Sequence, residues 1–597
     1  MRDEHKGQLA AHPDGIVSVT DIGSLFGVDA GSRLLILRVQ SLRFAEPKEA
    51  HLRLHQPDIN KEPLRHLVAT VVGVLRRKDQ QLSFIPDSLI SPSLGAEAYP
   101  LSQSELAAIL NLQEKKGESI KLGDTTRSNG SLWVDIDVLL GRHVAVLGST
   151  GQGKSSFTAA ILQQILKFPN SRVVLFDING EYEQALSPHL PPEKIKITKF
   201  GQDLKARIPY YSLGRHGLGR LLLPSEKTQR PALNFALENL QFVEWSDSQQ
   251  AAGLAGTNSF VLVEDCRPGD ANPAADAINK LRARTHTATA KKWPPMMALA
   301  SLVAESYSIK PSQRTGQTAK SFERGPFEYG NISPLLNRIR RLVEDPHFIS
   351  VVDVDGSDTN GNSLNWQAEA TNLVDQMFGA QDTDWNLHII DLRSVAHDLL
   401  PMILGSLLEL LAFELFKRGQ GATHPTLLVL EEAHHYLRQL NDHDETGKHS
   451  LAYERLAKEG RKFGISIWLS TQRPSELSPT VLSQCGTWVV FRLASEQDLR
   501  AVSVAAEWVD KQEVSRIAGL PRRQAVIFGS CVALPTRIIS PTANPTPKSQ
   551  DPDFKVWTRP PETQEDDFGF GRNVNEATPN YSKGGITGKR PTDGIGI

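Results

Sequence analysis

Lys154, Ser155 and Ser156 close the run Gly148-Ser149-Thr150-Gly151-Gln152-Gly153, and residue types in that order make a phosphate-binding loop. Glycines at 148, 151 and 153 let the backbone bend tightly and turn its N–H groups toward an anion. That anion sits at the positive end of the helix that starts near Lys154. Lys154 is placed to reach the β- and γ-phosphates of a nucleotide, and the Ser155 hydroxyl to complete an Mg²⁺ shell. A second patch of chemistry lies far downstream, where the apolar run 427–430 is followed at once by Glu431 and Glu432. One acid, Glu431, can hold Mg²⁺ through water; the next, Glu432, can orient and polarise the attacking water. The run 465–469 ends in Ser-Thr-Gln472, where a polar amide can sense the γ-phosphate or simply cap a turn. Arg461, on the basic stretch before that run, is either a cation for a neighbouring subunit's site or a residue on a solvated helix face. His434 and His435 follow the acids, but no metal-ligand spacing surrounds them, which argues against zinc.

These groups need strands that end together. The apolar stretch 144–147 suits a buried parallel strand, 155–166 the helix after the loop, and 427–430 and 465–469 two more strands. From about 141 to 208 strands alternate with helices, the rhythm of a parallel α/β sheet. Residues 215–385 break that rhythm with helical segments at 230–239, 276–284 and 334–343, separated by polar, Gly- and Pro-rich connections. Sheet character returns at 385–391 and continues to about 528. Upstream, β-branched runs at 16–19, 34–39 and 66–74 read as a small β-barrel, joined by a helical link at 102–113 to a strand pair near 122–124 and 132–137. The stretch from 544 is rich in Pro, Gly, Asp and Lys and reads as an extended tail that packs on a neighbour or stays disordered.

Bulk properties narrow the class. At 597 residues several domains are expected, and a formal net charge of −2 excludes an overall basic coat while allowing a basic lining on one surface. Three separate cysteines without a CxxC pair point to a reducing compartment. The polar amino terminus lacks a secretory pattern, and the greasiest stretch, 399–416, is interrupted by Glu409 and Glu414, so a cytoplasmic protein without a membrane span is expected.

The motifs RHVAVLGSTGQGKSS (142–156), VVLFDINGEY (173–182), LLVLEEAHHYL (427–437), LAKEGRKFGI (456–465), LSTQRPSELSPTVLSQC (469–485) and LPRRQAVIFG (520–529) occur in this order. Together they resemble the HerA branch of the HerA/FtsK superfamily of ring-forming DNA translocases, and the resemblance covers nearly the whole chain. It implies an α/β fold with a RecA-like P-loop ATPase core, an N-terminal β-barrel over 1–100, and core halves at 101–214 and 386–543. A mostly helical insertion (215–385) and a tail (544–597) complete that expectation. It also implies a homo-hexamer around double-stranded DNA, with ATP and Mg²⁺ at sites shared between subunits. Lys154 and Ser155 match the phosphate and Mg²⁺ positions, Glu431 and Glu432 the acid pair, and Gln472 the polar sensor. Arg461 matches the trans-acting arginine, with Arg142 a weaker second candidate. Asp177 and Glu181 match a family signature whose physical role the residues alone do not reveal.

The function expected from this resemblance is ATP-driven movement along duplex DNA, with a separate nuclease of the NurA type or another kind as partner. The alternative is an ATPase scaffold or switch that activates a nuclease or sirtuin-like NADase effector in anti-phage defence. A conjugative secretion ATPase fits less well, given the EEAH acid pair, the lack of a membrane helix and the N-terminal barrel. Basic residues of the insertion, among them Lys280, Arg282, Arg284, Arg338, Arg340 and Arg341, could line a channel or form ordinary solvated charge runs.

Overall fold

The computed structural model describes most of residues 9–548; the longest stretches outside it are 45–64, 262–278, 312–321 and 438–451, and residues 549–597 lie outside as well. A mixed sheet of eleven strands organises the described residues. Numbered in chain order, its strands are β1 (Ser119–Thr125), β2 (Ser131–Asp135), β3 (His143–Leu147), β4 (Val173–Asp177), β5 (Ile195–Lys199) and β6 (Leu387–Asp391). They continue as β7 (Thr426–Leu430), β8 (Ile465–Thr471), β9 (Cys485–Phe491), β10 (Gln524–Gly529) and β11 (Thr536–Ile539). The order across the sheet is β5-β6-β4-β7-β8-β3-β9-β10-β11-β1-β2. Pairing is parallel from β5 to β9 and antiparallel from β9 to β2. The acid-bearing strand β7 is therefore not the immediate neighbour of the phosphate-loop strand β3; β8 runs between them.

Strands β3, β4, β6, β7 and β9 are buried along their whole length, as parallel strands covered on both faces must be. Alternation sorts their side chains into two layers. Val144, Val146, Val173, Leu175, Leu427 and Val429 pack with Phe157, Ile161 and Ile165 of α1 (Lys154–Ile165). Ala145, Leu147, Val174, Phe176, Leu428 and Leu430 face the opposite layer. That layer is supplied by α2 (Gly214–Leu222), α3 (Gln229–Asn239), α4 (Met297–Ser308), α5 (Pro326–Glu344), α6 (Trp366–Phe378) and α7 (Leu400–Arg418). Leu218, Leu233, Leu299, Leu335, Leu373 and Leu408 from these helices join one continuous core with the sheet. The stretch between β5 and β6 thus covers a face of the sheet, and it carries short strand pairs as well as helices.

Helix α5 begins at Pro326, eight residues before the Pro334 that the sequence suggests as a start. Pro334 forfeits one backbone hydrogen bond inside the helix, while the buried stripe Ile332, Leu335, Leu336 and Ile339 carries the helix through it. The helix expected at 276–284 lies almost entirely outside the described residues, as do Lys280, Arg282 and Arg284. Arg338 donates to the backbone carbonyls of Leu222 and Leu223, so it fastens α5 to the end of α2. No helix among the described residues is long and apolar enough to cross a membrane.

Residues 25–100 include a five-stranded antiparallel sheet in the order Gln81–Pro86, Arg65–Lys78, Leu34–Phe44, Leu25–Asp29, Ala98–Pro100. Among the described residues no pairing of its edge strands closes it into a barrel. Its Ile36 and Leu75, with Leu101 just after its last strand, pack with Ile109 of the helix Gln103–Leu110 and with Leu534, which attaches this sheet to the rest of the chain. At the other terminus, the first residues of the expected tail pack on the chain's own α1. The Asn544 N–H donates to Gln163 Oε1 at 3.0 Å, and Gln163 Nε2 donates to the Pro545 carbonyl at 2.9 Å.

One buried side chain ties the start of β3 to what precedes β8. His143 Nε2 donates to the Ala457 carbonyl at 2.7 Å in α8 (Ala452–Glu459), and the Ile467 N–H donates to His143 Nδ1 at 3.0 Å. Burial holds the imidazole neutral, pulling its pKa down to about 4 against the Ala457 hydrogen bond, with the Arg461 charge adding to the fall. A depressed histidine pKa means that the unfolded chain takes up the proton first. Stability should therefore be lost as pH falls from about 6.5 toward 4, by up to about 3 kcal/mol from this residue. Thermal unfolding midpoints followed from pH 7 to 4.5 should show a shallower acid limb in His143→Gln than in the parent; superimposable limbs would remove His143 from this role.

Candidate active site

The phosphate loop leaves β3 and is held from three sides by backbone contacts. The Gly148 N–H donates to the Thr471 carbonyl at 3.3 Å, the Ser149 N–H to the Arg492 carbonyl at 2.9 Å, and the Arg523 N–H to the Gln152 carbonyl at 3.0 Å. The last contact gives the LPRRQ motif a physical task, because Arg523 supports the loop through its main chain. Gly148 is required by close approach: a Cβ there would lie 2.6 Å from Cβ of Phe491. Gly153 caps α1 in a left-handed conformation, φ 114°, and no side chain caps that end. The first N–H groups of α1 are thus left for an anion. Phe157 anchors the helix beneath, with ring centroids 6.1 Å from Trp468 and 5.8 Å from Phe491.

Lys154 is buried and donates from Nζ to the Ser149 carbonyl at 3.3 Å. Burial lowers its proton affinity, while Glu432, Glu431 and Glu181 oppose that shift. Thr150 donates its hydroxyl to the side-chain carbonyl of Gln472, so the strand-end amide of β8 touches the phosphate loop directly. The parallel register that sets Leu147 beside Thr471 places these ends together.

Glu431 and Glu432 leave β7 in opposite circumstances. Glu431 is 4% exposed, accepts from the Tyr182 hydroxyl, and its own carbonyl accepts from the Tyr436 hydroxyl at 2.9 Å. Burial pushes its carboxyl up to about 8, and the Glu432 charge adds to the rise. Glu432 bends away with φ 43° and ψ 48°, a left-handed conformation that a long side chain adopts only when its surroundings impose it. Its Oε2 lies 3.3 Å from His434 Nδ1. Burial alone would raise its pKa, but the His434 hydrogen bond and the Lys154 charge outweigh that and leave it below the usual value. Environments that drive two adjacent acids apart are how a site assigns one to stay protonated and the other to act as a base.

The DINGEY segment acquires a role here. Asp177, at the end of β4, accepts from the Glu181 N–H at 3.1 Å and the Tyr182 N–H at 2.9 Å, so it folds the turn that follows it. Burial, with Asp391 adding to it, pushes its carboxyl up to about 7 against those backbone hydrogen bonds. The folded turn sets Tyr182 against Glu431 and brings Glu181 into hydrogen bond with Ser155. Burial raises the Glu181 carboxyl, and the Ser155 bond and Lys154 charge pull the other way. Ser155, Glu181 and Glu431 offer oxygen atoms only, the donor set that suits Mg²⁺. Among the described residues no cluster of three or more His, Cys, Asp or Glu could hold a metal ion unaided. A cation here would fill its shell from water and phosphate oxygens, as Mg²⁺ does in phosphoryl-transfer sites. Sequence reasoning left Tyr182, His434 and Thr471 without a role, because nothing in their spacing signals a contact to a distant acid.

Lys154, Ser155, Glu431, Glu432, Gln472 and Glu181 therefore share one end of the sheet, and two candidates do not join them. Arg461 lies in the turn Gly460–Phe463 that enters β8, and Arg142 directly precedes β3. Both are exposed. Gln472 follows the far end of β8, a strand of 7 residues that spans about 20 Å. Arg461 is thus separated from its own chain's phosphate loop by the length of the sheet.

The family model described as Helicase HerA, central domain, matches residues 120–288. The DNA double-strand break repair helicase HerA of Pyrococcus furiosus is 26% identical over 415 residues, which is 69% of this chain and 67% of that protein. The protein of the same name from Sulfolobus acidocaldarius is 22% identical over 521 residues, 87% of this chain and 85% of that one. Among solved structures, the bacterial conjugative coupling protein TrwB superposes with a TM-score of 0.43 and 14% identity, covering 75% of this chain and 94% of its own. With the phosphate loop, the acid pair and the strand-end glutamine gathered at one sheet edge, this protein is similar to the HerA helicases over most of its length, and its residues 120–288 match their central domain.

Proposed function

We propose that this chain is an ATP hydrolase that moves along double-stranded DNA as a homo-hexameric ring, working with a separate nuclease or other effector protein. The observation that carries the proposal is the division of the site between the two edges of one sheet. One edge holds the phosphate loop, the acids and Gln472; the other presents Arg461 and Arg142 to solvent. A subunit built this way holds Arg461 and Arg142 away from its own phosphate loop and offers them to the next subunit, which is how a ring makes hydrolysis depend on contact.

In this reading the α1 N-terminus and Lys154 hold the β- and γ-phosphates of ATP. Ser155, with Glu431 and Glu181 behind it, holds Mg²⁺, which when bound would draw charge from the phosphate oxygens. Glu432, kept ionised, orients the attacking water and takes up its proton. Gln472 contacts the loop at Thr150 and registers the γ-phosphate. Arg461 of the adjoining subunit supplies positive charge where the transition state spreads its negative charge, with Arg142 as a second cation.

Lys154→Ala should abolish nucleotide binding, measured by titration with a fluorescent ATP analogue. Glu432→Gln should keep the nucleotide and lower turnover about 10²- to 10⁴-fold; brisk turnover there would remove Glu432 from the chemistry. Arg461→Ala should lose about 10³-fold or more in turnover. Mixed with Lys154→Ala subunits it should recover part of that rate, because each chain supplies what the other lacks. Absence of recovery in rings shown by native mass measurement to be mixed would rule out a role in trans.

A further inference from the structure

We infer that His434 is a positioning residue: its imidazole references the carboxylate of Glu432 to the strand end that grips the phosphate loop. This rests on reading Glu432 as the acid that orients water. His434 is 3% exposed, and its Nδ1 lies 3.3 Å from Glu432 Oε2 and 3.0 Å from Thr471 Oγ1. Nδ1 and Thr471 Oγ1 are hydrogen-bonded, and Glu432 Oε2, a buried atom otherwise without a hydrogen-bond partner among the described residues, lies within ion-pair distance of the same nitrogen. Thr471 is itself fixed in several ways. Its carbonyl accepts from the Gly148 N–H at 3.3 Å, its hydroxyl oxygen accepts from the Arg473 N–H at 3.1 Å, and the next residue, Gln472, accepts from Thr150.

A glutamate side chain has three rotatable bonds, and Glu432 reaches its place from a left-handed backbone that aims it away from β7. Its main chain sets the direction: the Glu432 N–H donates to Glu431 Oε2 at 3.3 Å, and the Glu432 carbonyl accepts from the His435 N–H at 2.9 Å. The imidazole then fixes the carboxylate end. The acid is thereby held relative to β8, the strand between it and the phosphate loop, and not relative to β7 alone. A shift of β8 with the loop carries the acid along. The ring of His435, centred 4.1 Å from that of His434, backs the imidazole on one side.

A residue acting through Glu432 should change turnover and leave nucleotide affinity alone. His434→Ala should lower kcat about 10²-fold, the scale of a misplaced reacting group, with ATP-analogue affinity within about twofold of the parent. His434→Asn, whose amide nitrogen can stand near Nδ1, should recover most of the loss. Thr471→Val, which removes the other partner while keeping a β-branched strand residue, should reproduce the defect in kcat. In the Glu432→Gln background, His434→Ala should add little further loss, since the two act as a unit. Parent-like kcat in His434→Ala beside a crippled Glu432→Gln overturns this inference and leaves the assignment of Glu432 standing. Losses that multiply in the double variant, or equal falls of affinity and kcat in both His434→Ala and His434→Asn, likewise reduce His434 to packing. Rapid turnover in Glu432→Gln overturns both.

Discussion

One ammonium group faces three carboxyls in a partly buried site, and the arrangement of the site follows from that imbalance. Lys154 interacts with Glu432, Glu431 and Glu181, and it cannot neutralise all of them. Two remedies are visible. Glu431 has its proton affinity raised, burial and the Glu432 charge pushing its pKa up to about 8, and rests against the Tyr182 hydroxyl. Glu432 keeps its charge because His434 and Lys154 offset its burial. The excess of acid is also what makes the pocket receptive to a divalent cation carried in with a nucleotide, since added positive charge relieves the repulsion that burial concentrates.

The sheet decides which groups stand beside that local chemistry and which are kept from it. Seven parallel strands all point their C-terminal ends the same way, so loops at one edge gather the phosphate-binding and acidic groups. The same parallelism forces whatever precedes those strands to the opposite edge. His143 sharpens the link, because it begins β3 while bonding the backbone of α8 and of β8 on either side of Arg461. The phosphate-loop strand and the arginine-bearing turn are in this way parts of one rigid unit. Movement at the phosphate-loop end of the sheet would reach the turn that carries Arg461.

Much of the nucleotide end was legible in the residues. The loop 148–156 is readable because its binding groups are consecutive backbone N–H donors, and the strands around it are apolar enough to declare themselves. Boundaries fared less evenly. Helix α3 (Gln229–Asn239) begins one residue before the expected 230, whereas α5 begins at Pro326 because a buried stripe overrides the proline at 334. The helices at 215–385 showed their periodicity but not that their apolar faces cover the sheet, since periodicity says that a face is buried and not against what.

The phosphate loop, the acid pair at a strand end and the motif order shared with HerA helicases are all readable in the amino-acid order. Each of these depends on residues adjacent in the chain, where backbone geometry alone brings the groups together. The fold alone reveals which acid has its proton affinity raised, what Asp177 does, and at which end of the sheet Arg461 lies. Tyr182 and Glu431 are 249 residues apart in the chain, yet their contact, and the burial around it, set the acid's proton affinity. Burial and charge proximity are properties of packed neighbours, and strand order, with β8 placed between the acids and the loop, exists only once the sheet has formed.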